Sequence, residues 1–279
     1  MKGLRIRDLV RSAAVVTAAA AVLWLERRRQ ARQYVEAPAV HATRNLVLAG
    51  MAAVTVHLVE TPVVMPVAAL AARRGWGLTG RMVGSRRARI TRTLVTILLL
   101  DYTLYLWHIV VHRVPWLWRF HLVHHVDLDM DATTGLRFHA GELVASVPWR
   151  AAQVMLIGAT PGALAAWQSL TVAFVLFHHS NTQLGERTER WLSWLVATPR
   201  MHAVHHSVNP AQLQTNFSSG FALWDRLHGT FRADTTARDV VVGVPGYLRP
   251  EDVSLDMVLA LPFTHTPLPP GDLPHVPGA

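Results

Sequence analysis

Apolar residues run for long stretches with few interruptions. Leu46 to Ala72 carries only His57 and Glu60 as charged or imidazole side chains, with a Thr61-Pro62 break, and Ile90 to Val111 carries only Arg92, Asp101 and His108. Each stretch is long enough to span a bilayer as a helix. A third apolar region, Leu143 to Phe177, is interrupted by Arg150 and by Thr160-Pro161-Gly162, so it reads as two helices joined by a tight turn, an antiparallel hairpin. That makes four expected spans. Ahead of them, Lys2, Arg5, Arg7 and Arg11 precede an apolar run from Ser12 to Leu25. The run continues through Leu23-Trp24-Leu25 into Glu26-Arg27-Arg28-Arg29, a poor cleavage context and a good interfacial anchor, so it is read as an uncleaved anchor. The pattern gives an all-α membrane protein with about four transmembrane helices plus an N-terminal anchor. Three regions follow: an anchor and basic linker (1–45), a membrane-embedded domain (46–248) and a Pro-rich tail (249–279). The tail holds Pro262, Pro267, Pro269, Pro270, Pro274 and Pro277. It is expected to be disordered, which removes His265 and His275 as ligands.

Composition agrees: 51% of residues are hydrophobic and 16% charged, so apolar side chains must face something besides a core. The net charge of +9, from 26 Arg and one Lys, could suggest nucleic acid. Its placement beside the apolar runs, at Arg27 to Arg29, Arg73-Arg74 and Arg81 to Arg92, fits lipid headgroups instead, and nucleic-acid binding is set aside. Absence of cysteine excludes disulfides, thiolate zinc sites and Cys-ligated clusters, so any metal must use His or carboxylate. Gly75-Trp-Gly77-Leu-Thr-Gly80 matches dinucleotide-binding spacing but follows an apolar helix rather than a strand, and reads as a flexible interfacial loop.

The chemistry lies in histidine. His108 and His112 are spaced i, i+4, which puts both imidazoles on one helix face. His121, His124 and His125 form a His-x-x-His-His cluster, and His202, His205 and His206 form a second. With 16 His in 279 residues, chance supplies roughly 0.05 such clusters. Imidazoles at this density leave acceptor nitrogens unsatisfied unless a cation binds them, and eight exceed what one ion uses, so two ions are implied. Imidazole suits Fe, Zn, Cu and Ni alike. His139 and the pair His178-His179 are further candidates, and adjacent helical residues diverge by about 100°, so one of that pair faces the metals. His41 and His57 are read as ordinary interfacial side chains. Asp101, Asp127, Glu142, Asn181, Asn216 and Asp225 could support the ligands. Asp101 is favoured because a free carboxylate inside an apolar span is costly.

Six segments resemble the fatty acid hydroxylase and sterol desaturase superfamily of membrane-bound di-iron enzymes: Asp101-Tyr-Thr-Leu-Tyr-Leu-Trp-His108, Trp118-Arg-Phe-His121-Leu-Val-His124-His125, Arg137-Phe-His139-Ala-Gly-Glu142, His179-Ser-Asn181, Thr198-Pro-Arg-Met-His202-Ala-Val-His205-His206 and Leu223-Trp-Asp225-Arg-Leu-His-Gly229-Thr230. Asn216-Phe217-Ser218, His228 and Ala140 depart from the family pattern beside the ligands. The resemblance implies a helical catalytic cap above the membrane helices, with two irons held by His108, His112, His121, His124, His125, His139, His179, His202, His205 and His206. Asp101, Glu142, Asn181 and Asp225 would support them. The implied reaction is O2-dependent hydroxylation of an aliphatic C–H bond in a membrane lipid. Two alternatives stay open: desaturation on the same centre, and a non-enzymatic membrane haem or metal-binding protein. With no carrier site of its own, the chain would take electrons from a separate ferredoxin- or cytochrome-like protein and its reductase, steered by Arg187, Arg190, Arg226 and Arg232. Counting spans puts the cap on the cytoplasmic side, opposite the Arg73 to Arg92 loop.

Overall fold

A helix that is apolar all round is stable only where hydrocarbon or protein surrounds it. In the computed structural model, which describes residues 2–82, 84–264 and 270–272, three helices are long and apolar enough to cross a membrane. The first lies in α1 (Lys2–Arg28), where Leu9, Val10, Val16 and Trp24 are exposed. In the second, α2 (Pro38–Thr55) passes through a π-helical turn, Val56–Glu60, into α3 (Thr61–Arg74), making one 37-residue helix. Thr61 N–H reaches back to the Val56 carbonyl across the wide turn, just before Pro62, which has no N–H to offer. The third is α4 (Arg86–Arg113), capped by the Ser85 side chain.

After α5 (Pro115–His125), the expected hairpin forms from α6 (Ala140–Ile157) and α7 (Pro161–His179). Gly158 ends α6 in the left-handed conformation, φ 78°, and Thr160 caps α7 by accepting from Ala163 N–H. The hairpin arms are not among the three apolar spans. Glu142, Arg150 and Gln153 on α6 and Gln168 on α7 reduce their apolarity. Two of the four expected spans are therefore met by length and composition, together with the N-terminal helix.

Short helices complete the cap: α8 (Glu186–Leu192), α9 (Pro199–His205), α10 (Pro210–Leu213), α11 (Leu223–His228) and α12 (Leu255–Thr264). Among the described residues there is no β-strand; two isolated bridges join Gln30 to Thr182 and Ser207 to Val242.

Two expectations change. The tail expected to be disordered from residue 249 is structured to Thr264: Val258 and Leu261 of α12 share a buried cluster with Trp118 and Leu122 of α5. Pro262 is tolerated inside so short a helix because few backbone bonds remain for it to break. His265 and His275 lie outside the described residues. The Gly75 to Gly80 segment is a packed turn rather than a flexible loop. Leu78 and Thr79 N–H donate to the Leu156 and Ile157 carbonyls, and a Cβ on Gly77 would stand 2.2 Å from Gly158 N. The basic linker is likewise bonded into the cap: Arg32 donates to the Met130 and Ala237 carbonyls, and Val35 and Glu36 N–H donate to Asp129.

Candidate metal centre

Four helices carry the histidines to one place. His108 and His112 occupy the end of α4, His121, His124 and His125 lie on α5, His178 and His179 end α7, and α9 with its C-cap supplies His202, His205 and His206. Nine buried imidazoles sort into two groups, each with its ligand atoms within 4.8 Å of one another: His108, His112, His121, His125 and His205; then His124, His179, His202 and His206.

Tautomers decide what these groups can hold. His108 Nδ1 lies 2.7 Å from the Phe217 carbonyl and His205 Nδ1 2.7 Å from the Thr215 carbonyl. A carbonyl only accepts, so both Nδ1 atoms carry the proton, and in neutral rings both Nε2 atoms present lone pairs. Those Nε2 atoms face each other at 3.0 Å. The second group repeats the arrangement. His124 donates to the Arg137 carbonyl at 3.2 Å and His179 to the Val175 carbonyl at 2.8 Å, with their Nε2 atoms 3.1 Å apart. Facing lone pairs repel unless a cation lies among them. A proton serves poorly. Burial, reinforced by neighbouring imidazoles, drives His124, His125, His202 and His206 well below the usual histidine range, and burial pushes His205 down to about 3. Each group therefore suits one metal ion.

The supporting residues divide. Glu142 reaches an imidazole directly: both its carboxylate oxygens lie 3.1 Å from His121 Nδ1, an arrangement that fixes that ring's tautomer. Asp225 acts one step away, accepting from Phe217 N–H, Ser218 N–H and the Thr230 hydroxyl, and so holds the loop that offers the Phe217 carbonyl to His108. Asp101 accepts from Phe221 N–H and Trp224 Nε1–H at 3.0 and 2.7 Å, pinning the same loop to α4 rather than touching His108. Asn216, at φ 53° the only non-glycine positive φ among the described residues, bridges Met201 and Arg232.

Two expected residues stand elsewhere. Asn181 is bonded to the Arg32 backbone in both directions, so its side chain ties down the linker. His139 caps α6 by accepting from Gly141 N–H at 2.9 Å and packs against Phe120 and Phe263; it belongs to neither group. Of the adjacent pair, His179 joins the second group while His178 lines the neighbouring cavity.

Sequence reasoning missed His41, which is buried and paired with Asp127 at 2.9 Å and Asp131 at 3.3 Å. Burial raises the Asp127 carboxyl, but Arg137, His41 and Arg44 outweigh it and hold it well below the usual range. The orienting carbonyls of Thr215, Phe217, Arg137 and Val175 were also missed, because a backbone acceptor leaves no residue-type signal.

A cavity of about 520 Å3 opens from the histidines between α2, α4, α6 and α7. His108, His121, His124 and His179 stand at one end, and Ala52, Leu104 and Val175 are among its apolar walls.

Residues 93–230 match the fatty acid hydroxylase family. That segment, just under half of the chain, is where its similarity to the fatty acid hydroxylase family lies. Its similar proteins include the ornithine lipid hydroxylase OlsE of Rhizobium tropici, 31% identical over 147 residues, covering 52% of this chain and 43% of that protein. The alkylglycerol monooxygenase of Xenopus tropicalis is 30% identical over 139 residues, 49% of this chain and 30% of that one. Cholesterol 25-hydroxylase of Rattus norvegicus is 25% identical over 183 residues, 64% and 60%. The chain thus aligns with less than two thirds of the length of each of these relatives. No solved structure matches. The fatty acid hydroxylase segment starts within α4 and ends just after α11, and all nine grouped histidines fall inside it.

Proposed function

We propose that this fatty acid hydroxylase homologue is an O2-dependent di-iron monooxygenase that hydroxylates an aliphatic carbon of a membrane lipid. The observation that carries the reading is the pair of facing Nε2 lone pairs, one in each group, at the mouth of an apolar cavity. One iron would be held by His108, His112, His121, His125 and His205, and the other by His124, His179, His202 and His206. When bound, two irons supply the redox chemistry that activates O2.

The chain's own residues contribute position. The Phe217, Thr215, Arg137 and Val175 carbonyls and Glu142 hold five imidazoles in the Nδ1–H tautomer, leaving Nε2 free to ligate. The apolar walls align an alkyl chain against the histidines and keep bulk water away. Hydroxylation rather than desaturation is favoured because the relatives named above are hydroxylases or monooxygenases. A haem protein fits poorly, since bis-imidazole haem ligation uses two imidazoles, whereas here five and four converge.

Inserting one oxygen atom into a C–H bond and reducing the other to water consumes two electrons and two protons, so a ferredoxin- or cytochrome-like donor with its reductase is required. Its docking would not use every arginine expected for it. Arg226 is stacked 3.8 Å over the Trp194 ring and 3.7 Å over that of Phe231, and Arg232 pairs with Asp234. In this reading the cap faces the cytoplasm, where such donors are found.

Comparative lipidomics of cells making the intact chain or a His124→Ala, His205→Ala variant tests the activity. A lipid gaining about 16 mass units only with the intact chain is expected, with purified activity appearing when reductase and ferredoxin are added. A loss of about 2 mass units would replace hydroxylation with desaturation, and identical lipid profiles would contradict the proposal.

A further inference from the structure

The cavity has a second polar level. Eight residues along α6 from Glu142, the carboxylate on His121, stands Arg150; eight residues back along α7 from His179 stands Thr171. Each interval is about 12 Å of helix, and α6 and α7 run in opposite directions, so two helices independently set this level the same distance from the histidines. Glu60, the last residue of the π-helical turn, reaches the same level from α2 and pairs with Arg150 at 3.2 Å. Gln168 and Trp167 complete it, with the Arg150 guanidinium 5.9 Å from the Trp167 ring.

Buried polar groups are normally satisfied, and an ion pair inside an apolar helix bundle is costly to keep. Here Trp167 Nε1 and Thr171 Oγ1 are buried without a hydrogen-bond partner. Trp167 is 2% exposed overall, and both residues line the cavity. Each unmatched donor is costly to bury, a cost that a bound polar group would remove. That group should be uncharged: Glu60 and Arg150 already neutralise each other, and a third charge would stand uncompensated in the interior.

We propose that this level binds a hydroxyl or amide group of the lipid, so that the substrate is an amphiphile held at its polar end with the carbon about 12 Å away delivered to the histidines. Only what happens at the histidine end rests on the hydroxylase reading. The polar group accepts from Trp167 Nε1–H and the Thr171 hydroxyl and can donate to Glu60 or the Gln168 carbonyl oxygen.

Photolabelling of the full-length chain in nanodiscs tests it, with dodecan-1-ol carrying a diazirine on its terminal carbon and dodecane carrying the same diazirine as the control. The alcohol is expected to label the segment around Leu136, Phe138 and Leu143 near the histidines, and the alkane to label it far less. A Trp167→Phe, Thr171→Val variant should lose labelling there by about fivefold or more, the scale of one or two neutral hydrogen bonds. Thr171→Ser, which keeps the hydroxyl, should label as the parent does. Equal labelling by alcohol and alkane, an unchanged pattern in the double variant, or equal loss in Thr171→Ser would overturn the assignment. Hydroxyl-dependent labelling without any oxidised product would leave the polar level standing and sink the hydroxylase reading. Oxidised product with hydroxyl-independent labelling would do the reverse.

Discussion

Glu142 shows how much of the centre depends on residues that touch the imidazoles. Its carboxylate is the only side-chain acceptor on the oriented Nδ1 atoms; the other four are held by backbone carbonyls. Glu142→Ala should release the His121 ring and lower metal retention or activity about 10–100-fold. Glu142→Gln, whose amide oxygen still accepts, should lose less. Iron remaining after dialysis against a chelator measures both, and equal retention by Glu142→Ala and the parent would show that His121 needs no orienting partner. At this scale the sequence was informative for the ligands and poor for their supports. The His-x-x-His-His spacing marked His121 to His125 and His202 to His206 because it puts rings on one helix face. Asn181 and His139 lay in family-like segments but serve the linker and the α6 cap. The Thr215 and Phe217 carbonyls are set by Asp225 and Asn216 through chain reversal, which no spacing reports.

Elements were legible where hydrophobic pattern alone decides them. The two long apolar runs became α2 through α3 and α4, and Thr160-Pro161-Gly162 marked the α6–α7 turn. The pattern failed at α12, where proline content suggested disorder while Val258 and Leu261 supplied a buried face for α5. Leu261, 5% exposed, packs beside the helix that bears His121, His124 and His125. Leu261→Ala is expected to cost about 2–5 kcal/mol, whereas Met257→Ala, at an exposed position of the same helix, should change stability by about 0.5 kcal/mol or less. Thermal unfolding of the purified chain in detergent checks the pair; indistinguishable midpoints would mean that α12 does not brace α5. The π-helical turn was foreshadowed only as the Thr61-Pro62 break, and that Glu60 pairs with Arg150 across the cavity depends on a contact 90 residues apart in sequence.

Across the molecule, apolar helices and metal ligands share one design. α4 runs about 42 Å from the Arg-rich loop to His108 and His112, so the same helix that sits in lipid ends in the centre, and the cavity between α2, α4, α6 and α7 leads from the apolar bundle to the grouped imidazoles. A substrate could then reach the centre without leaving an apolar environment. Everything proposed for its function depends on the two histidine groups holding two redox-active ions. Metal analysis of the full-length protein, purified anaerobically from iron-replete cells, measures this most directly. About two irons per chain are expected, falling to background in the His124→Ala, His205→Ala variant, which removes one ligand from each group; stoichiometric zinc without iron would contradict the di-iron centre.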